Sequence, residues 1–260
     1  RYTCPRLEIL DRINTHTSVH SLLDYFYKYI SPDVEPAVTD PDGLLAVGCD
    51  LSIERLTSAY QQGIFPCYSE GQPILWWSPD PRMVLEPKNI KISRSLAKKL
   101  RKQEFQITFD QNFRAVITAC SESRLEKGKV QDETWILDEM IEAYVQLHEA
   151  GFAHSVECWK DNQLVGGLYG IAIGKIFFGE SMFSRVSDAS KIAFVSLAQQ
   201  LEQWGFKLID CQVYTSHLES LGASMITRKQ FLTLLKLHAV TGTKNSKWQI
   251  KNDSCRKSAT

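Results

Sequence analysis

Phe177-Phe178-Gly179-Glu180-Ser181-Met182-Phe183-Ser184-Arg185, taken with Lys207-Leu208-Ile209-Asp210-Cys211-Gln212-Val213, decides how this chain is read. Both stretches have the apolar density of buried strands. Side chains alternate across a strand, so Leu208, Asp210 and Gln212 share one face and Ile209, Cys211 and Val213 the other. A carboxylate and an amide on a mostly apolar strand cost free energy unless something engages them. Glu180 poses the same problem between Gly179 and Ser181. The plain alternative for both acids is a strand end, wetted or bonded to nearby backbone.

The flanking pattern is a meander. From Ala153 the apolar period changes to two: His154 to Trp159 reads as a strand, Lys160-Asp161-Asn162 as a turn and Leu164 to Ala172 as a second strand. Gly174-Lys175 turns into a third strand, Ile176 to Glu180. A helix is expected from Ser187, with Ile192, Ala193, Val195, Leu197, Leu201 and Trp204 inward and Gly205 at its end. The Asp210 strand follows, then a short helix from Ser216 and a longer one from Thr227 to Val240. Upstream, Leu137, Met140, Ile141, Tyr144 and Leu147 form the apolar face of a helix ended by Gly151. Phe105 to Thr108 reads as a strand, Asp110 as the cap of a helix carrying Phe113, Val116 and Ile117, and residues 121–133 as a polar loop.

Nearer the N-terminus, Asp50 is expected to cap a helix with Leu51, Ile53, Leu56 and Tyr60, stopped at Gly63. The tryptophan- and proline-dense stretch Pro73 to Arg82 implies an ordered, irregular loop before a short strand, Met83-Val84-Leu85. Leu22, Leu23, Tyr25, Phe26 and Ile30 fit one face of a short helix, with Pro32, Pro36 and Pro41 breaking the chain after it. The resulting division is an N-terminal extension (1–40), a small N-terminal α/β domain (41–120), a larger domain (121–240) and a disordered polar tail (241–260).

Composition narrows the function classes. The chain has 260 residues with 30 basic and 30 acidic side chains, so net charge selects no partner. Seven cysteines include no Cys-x-x-Cys pair, which argues against a zinc or redox site and for free thiols in a reducing cytoplasm. No metal site is expected. No apolar run reaches the roughly 20 residues of a membrane helix, and no signal peptide is visible. Local charge is more telling. Residues 88–102 carry seven basic side chains and no acid. With Ser93 as N-cap, Arg94, Lys98, Arg101 and Lys102 fall on one helical stripe. Such a stripe repels itself, which favours an anionic partner, most simply a nucleic-acid backbone, over a merely solvated face.

The order of meander, helix, strand and helix resembles the acetyltransferase-like (GNAT) fold. Those folds carry a glycine-rich pyrophosphate loop at a helix N-terminus. Phe183-Ser184-Arg185-Val186-Ser187-Asp188 contains no glycine, so coenzyme A is not expected and no cofactor is. Longer phrases are more specific: Gly63-Ile64-Phe65-Pro66, Trp76-Trp77-Ser78-Pro79-Asp80-Pro81-Arg82, His154-Ser155-Val156-Glu157, Gly179 to Ser184, and Leu208 to Gln212. Together they closely resemble the leucyl/phenylalanyl-tRNA–protein transferase family, from about Pro41 to Val240. The resemblance implies an α+β chain, a small N-terminal domain joined to a GNAT-like domain with a mostly antiparallel sheet flanked by helices. It implies transfer of leucine or phenylalanine, with methionine also accommodated, from aminoacyl-tRNA to proteins with N-terminal Lys or Arg, marking them for degradation. A cytoplasmic monomer is expected.

The reaction is aminolysis of an activated ester, so positioning and charge stabilisation dominate. By family position, Asp210, Gln212 and Glu180 are the catalytic candidates. Asp210 orients Gln212 or accepts a proton, and Gln212 holds the amine. Glu180 lines the same site or recognises a cationic group on the acceptor. Leu168, Met182, Leu197 and Ile209 are implied as the apolar amino-acid pocket, although each also fits ordinary core. Trp135 matches a tryptophan that stacks on the terminal adenosine. A second tryptophan of the family is replaced by Cys67, so either Tyr68 or another aromatic compensates or the adenosine is held more weakly. Arg94, Lys98, Arg101 and Lys102 match the tRNA-backbone surface. The competing readings are a coenzyme A-dependent N-acyltransferase and a catalytically idle tRNA-binding module.

Overall fold

The computed structural model describes residues 43–122, 124–126, 129–131, 135–239 and 246–248. Its centre is a seven-stranded sheet in the order β12-β4-β11-β10-β9-β8-β5. The strands are β4 (Arg82–Leu85), β5 (Gln106–Phe109), β8 (Ala153–Lys160), β9 (Gln163–Ile173), β10 (Ile176–Ser184), β11 (Leu208–Gln212) and β12 (Ser224–Ile226). Every neighbouring pair is antiparallel except β10 with β11. A smaller sheet has the order β1-β3-β2, from β1 (Leu44–Val47), β2 (Phe65–Pro66) and β3 (Leu75–Trp77). The expected α+β class, with a mostly antiparallel sheet flanked by helices, is what the chain adopts.

Period-two alternation builds two cores, one on each sheet face. On the first, Tyr169, Ile171, Phe178 and Leu208 meet α1 (Ile53–Gln61), α3 (Phe113–Ser121), α4 (Asp138–Glu149) and α7 (Arg228–His238). On the second, Leu168, Phe177, Ile209 and Cys211 meet α5 (Ala189–Gln203), with Leu96 of α2 (Arg94–Lys102). Close approach has its cost in side chains. A Cβ at Gly166 would lie 2.6 Å from Ala189 Cβ, and one at Gly170 would lie 2.2 Å from the Phe178 carbonyl oxygen. These glycines let β9 sit against α5 and β10.

Several local expectations change. Asp50 is not the cap of α1: Ser52 holds that place, and Asp50 Oδ1 accepts from the Ser52 N–H at 2.9 Å. Asn112, not Asp110, caps α3 through the Ala115 N–H. Asp110 adopts φ 55° and accepts instead from the Ser155 N–H and His154 Nδ1, each at 2.8 Å. The segment read as a loop contains two antiparallel-paired strands, β6 (Arg124–Glu126) and β7 (Lys129–Gln131). The helix placed at Ser187 starts at Ala189 after Asp188 in the left-handed region. Within the segment read as a disordered tail, Trp248 lies against the sheet, stacked on His154 at 3.8 Å. The extension 1–40 lies outside the described residues. A short helix, α6 (Ser216–Ser220), links β11 to β12.

Candidate active site

β10 and β11 run parallel only from Ile176↔Leu208 to Phe178↔Asp210. Past that point Gln212 Nε2 donates to Glu180 Oε1 at 2.9 Å, so side chains bridge where backbones have parted. β11 bulges here against β4, and Gln212 takes φ 62°. A residue with a Cβ adopts that conformation only when surroundings hold it. The hold is visible: the Gln212 N–H donates to Asp210 Oδ1 at 2.9 Å. Asp210 therefore acts on the backbone of Gln212, and Glu180 holds its side chain. Because the carboxylate takes the amide NH2, Gln212 Oε1 is turned away; it is buried with no hydrogen-bond partner among the described residues.

Asp210 is itself neutralised. Arg82 donates from Nε to Oδ1 at 2.9 Å and from Nη2 to Oδ2 at 2.6 Å. Both residues are 0 % exposed. The fork geometry satisfies a buried carboxylate that would otherwise be costly.

Glu180 is 2 % exposed and accepts from Tyr60 at 2.7 Å and Tyr144 at 3.2 Å, besides Gln212. The two tyrosine hydroxyls also touch each other at 2.5 Å. Burial drives the Glu180 carboxyl up; the donors from Tyr60, Tyr144 and Gln212 pull it down, Asp210 adds a further push, and it rests at about 7. A carboxyl poised there exchanges a proton near neutral pH, which an ordinary glutamate does not. Tyr60 and Tyr144 are pushed well above the ordinary phenol value, first by burial, so both remain donors.

This geometry belongs to a chain whose residues 84–236 match the family model of leucyl/phenylalanyl-tRNA protein transferase, while residues 50–80 match that family's N-terminal domain. The chain belongs to the leucyl/phenylalanyl-tRNA–protein transferase family. A relative of that name from Nitrosospira multiformis is 60 % identical over 205 residues, 79 % of this chain and 87 % of the relative. One from Methylococcus capsulatus is 55 % identical over 218 residues, covering 84 % and 91 %. A GCN5-related N-acetyltransferase from Kribbella flavida matches with a TM-score of only 0.34 at 11 % identity, covering 64 % of this chain and 58 % of that one.

In this transferase-family chain the other expected residues divide by face. Leu168, Leu197 and Ile209 are buried together on the second sheet face, with Met182 packed against them. Leu168 and Met182 are cross-strand partners. They belong to the second core, whereas Tyr60 and Tyr144, the donors to Glu180, belong to the first; β10 and β11 cease to pair after Phe178↔Asp210, between the two. Cys67, Tyr68 and Trp135 all belong to the first core, at 2 %, 1 % and 9 % exposure. Tyr68, the ring expected to compensate for Cys67, donates its hydroxyl to Glu139 at 2.6 Å. Arg94, Lys98, Arg101 and Lys102 are exposed on α2, capped by Ser93 as expected. Lys102 meets Glu104 at 3.2 Å, and Lys99, beside the stripe, is tied to Asp188 at 2.6 Å. Among the described residues, no cluster of side chains suits a metal ion and no helix is long and apolar enough to cross a membrane.

Three residues of the centre escaped the sequence reading. Tyr60 and Tyr144 fit the apolar stripes of α1 and α4, and nothing local marks their hydroxyls. Arg82 falls within the motif Trp76 to Arg82 without a local sign of a buried partner. The available signal was Asp210 itself, since a buried carboxylate needs a cation or several hydrogen-bond donors.

Proposed function

We propose that the Glu180–Gln212 bridge is the centre at which an aminoacyl group passes from tRNA to the α-amine of an acceptor protein. The observation that carries this reading is the unpartnered, buried Gln212 Oε1 beside a carboxyl at about 7. An amine needs an acceptor for an N–H to fix its lone pair on the ester carbonyl, and Gln212 Oε1 is such an acceptor. As the N–C bond forms, the nitrogen becomes cationic and must lose a proton. Glu180 takes it when ionised and returns one to the departing ribose 3′-oxygen, so the carboxyl ends as it began.

The donor side chain is leucine or phenylalanine, accommodated among Leu168, Met182, Leu197 and Ile209. These offer no hydrogen bond, which penalises polar side chains more than it separates apolar ones. Trp135, together with Cys67 and Tyr68 of the same core, is assigned to the terminal adenosine. The exposed cations Arg94, Lys98, Arg101 and Lys102 are assigned to the tRNA backbone. Acceptors begin with Lys or Arg, and the protein acts as a cytoplasmic monomer. The test is incubation of purified protein with labelled Phe-tRNA and an Arg-initiated peptide. Formation of the Phe-extended peptide supports the reading. Binding of tRNA without transfer overturns it.

A further inference from the structure

The Arg82 guanidinium lies between two aromatic rings, 4.8 Å from the Phe65 centroid and 4.6 Å from that of Phe231. Phe65 belongs to β2 and Phe231 to α7, so two separate elements fix its plane. A planar fork held this way fixes the plane of the carboxylate it binds. Asp210 Oδ1 then receives both Arg82 Nε and the Gln212 N–H, at 2.9 Å each, and Oδ2 receives Nη2. Protonating Asp210 would leave the buried Arg82 cation without its counter-ion, whereas Glu180 is held by the neutral donors Tyr60, Tyr144 and Gln212.

We propose that Arg82 is a positioning residue for the transfer reaction: through Asp210 it pins the left-handed turn at Gln212, and Asp210 serves as a fixed hydrogen-bond acceptor, not as the proton acceptor. The proposal rests on the transfer reading above for its kinetic consequence, but the pinning itself does not. The chain of contacts is continuous. Phe65 and Phe231 hold Arg82, Arg82 holds Asp210, and Asp210 holds the Gln212 backbone at φ 62°. From that backbone the Gln212 amide reaches Glu180 and leaves Oε1 without a partner among the described residues. Lysine cannot replace the fork, because a single ammonium cannot fix the plane of a carboxylate.

Arg82→Lys keeps the buried charge and removes the fork, so it is the first variant to make. Arg82→Met with Asp210→Asn removes both charges together, so a folded protein is obtained if Arg82→Lys is unstable. Single-turnover transfer of Phe to an Arg-initiated peptide is followed against pH, alongside NMR signals of the Gln212 backbone and side-chain amides. Arg82→Lys is expected to slow kcat by roughly 10–100-fold with KM for Phe-tRNA nearly unchanged. The loss should be flat with pH, and both Gln212 signals should move. Asp210→Asn should lose activity to a similar degree, also flat with pH. Recovery of Asp210→Asn at high pH would make Asp210 the base and overturn the proposal. So would a wild-type rate, or unmoved Gln212 signals, in Arg82→Lys or in the double variant. If wild-type protein transfers nothing, the transfer reading fails, while the Gln212 signals still decide whether Arg82 pins the turn.

Discussion

The Tyr60 hydroxyl donates to Glu180 Oε1 at 2.7 Å, joining α1 to the middle of β10 through a fully buried bond. With Tyr144 and Gln212 it keeps partly ionised a carboxyl that burial alone would drive higher. Tyr60→Phe removes one stabilising donor and leaves packing almost unchanged. The midpoint of the rate–pH profile governed by Glu180 should therefore move upward, and stability should fall by about 1–3 kcal/mol. Transfer rates across pH and chemical denaturation check both parts. An unmoved midpoint would mean that Glu180 does not control the rate.

Glu180 also links stability to pH. Its folded value, about 7, lies above its ordinary value of 4.5. A raised carboxyl disfavours the charged form in the fold. Its contribution is fully present below the unfolded value and is lost as pH rises through the folded one. The window is therefore pH 4.5 to about 7, with a loss on the order of 3 kcal/mol at its upper end. Glu180→Gln should flatten this part of the stability–pH curve while abolishing most transfer. Denaturation of both proteins between pH 5 and 8, in a common buffer series, should show the difference growing with pH. Parallel curves would contradict the assignment.

Trp248 anchors the far end of the second core. It stacks on His154 at 3.8 Å, contacts Trp204 at 5.0 Å, and donates its backbone N–H to Asp110 Oδ2 at 2.6 Å. Burial pushes the His154 imidazole down, which keeps the stacked ring neutral. Trp248→Ala should cost about 2 kcal/mol, a Tm decrease of roughly 4–8 °C, with the transfer centre intact. A scanning calorimetry trace matching wild type would show that the contact contributes nothing.

The exposed face of α2 should dominate salt dependence. Phosphate contacts give a slope of roughly −0.7 to −0.9 in log K against log salt for each neutralised charge. Arg94→Ala with Lys98→Ala should flatten the slope of tRNA binding and leave transfer from a short aminoacyl-adenosine donor nearly intact. An unaltered slope would mark the stripe as a solvated face.

Much of this was legible because the strands obey period two and because polar residues stand out on apolar strands. Glu180, Asp210 and Gln212 were found that way, and they meet. The partners were not, since Tyr60 and Tyr144 carry their polar atom at the tip of an otherwise apolar ring. Arg82 is visible only through a contact 128 residues away in the chain. Asp110 misled because an acid before a helix usually caps it, whereas here tertiary bonds to Ser155 and His154 win. Trp248 sits in a polar stretch whose composition predicts no packing, and one aromatic finding a groove overrides that average. The two faces of the centre were illegible for a different reason: β10 carries a bulge between Gly179 and Ser181, which breaks the simple alternation through Glu180.

The most direct measurement is single-turnover transfer of labelled phenylalanine from Phe-tRNA to an Arg-initiated peptide by wild type and Gln212→Ala. The account predicts a Phe-extended peptide from wild type and a rate roughly 10²-fold lower in the variant, with tRNA affinity retained. A wild-type rate in folded Gln212→Ala, or no product from wild type that binds Phe-tRNA, would contradict it.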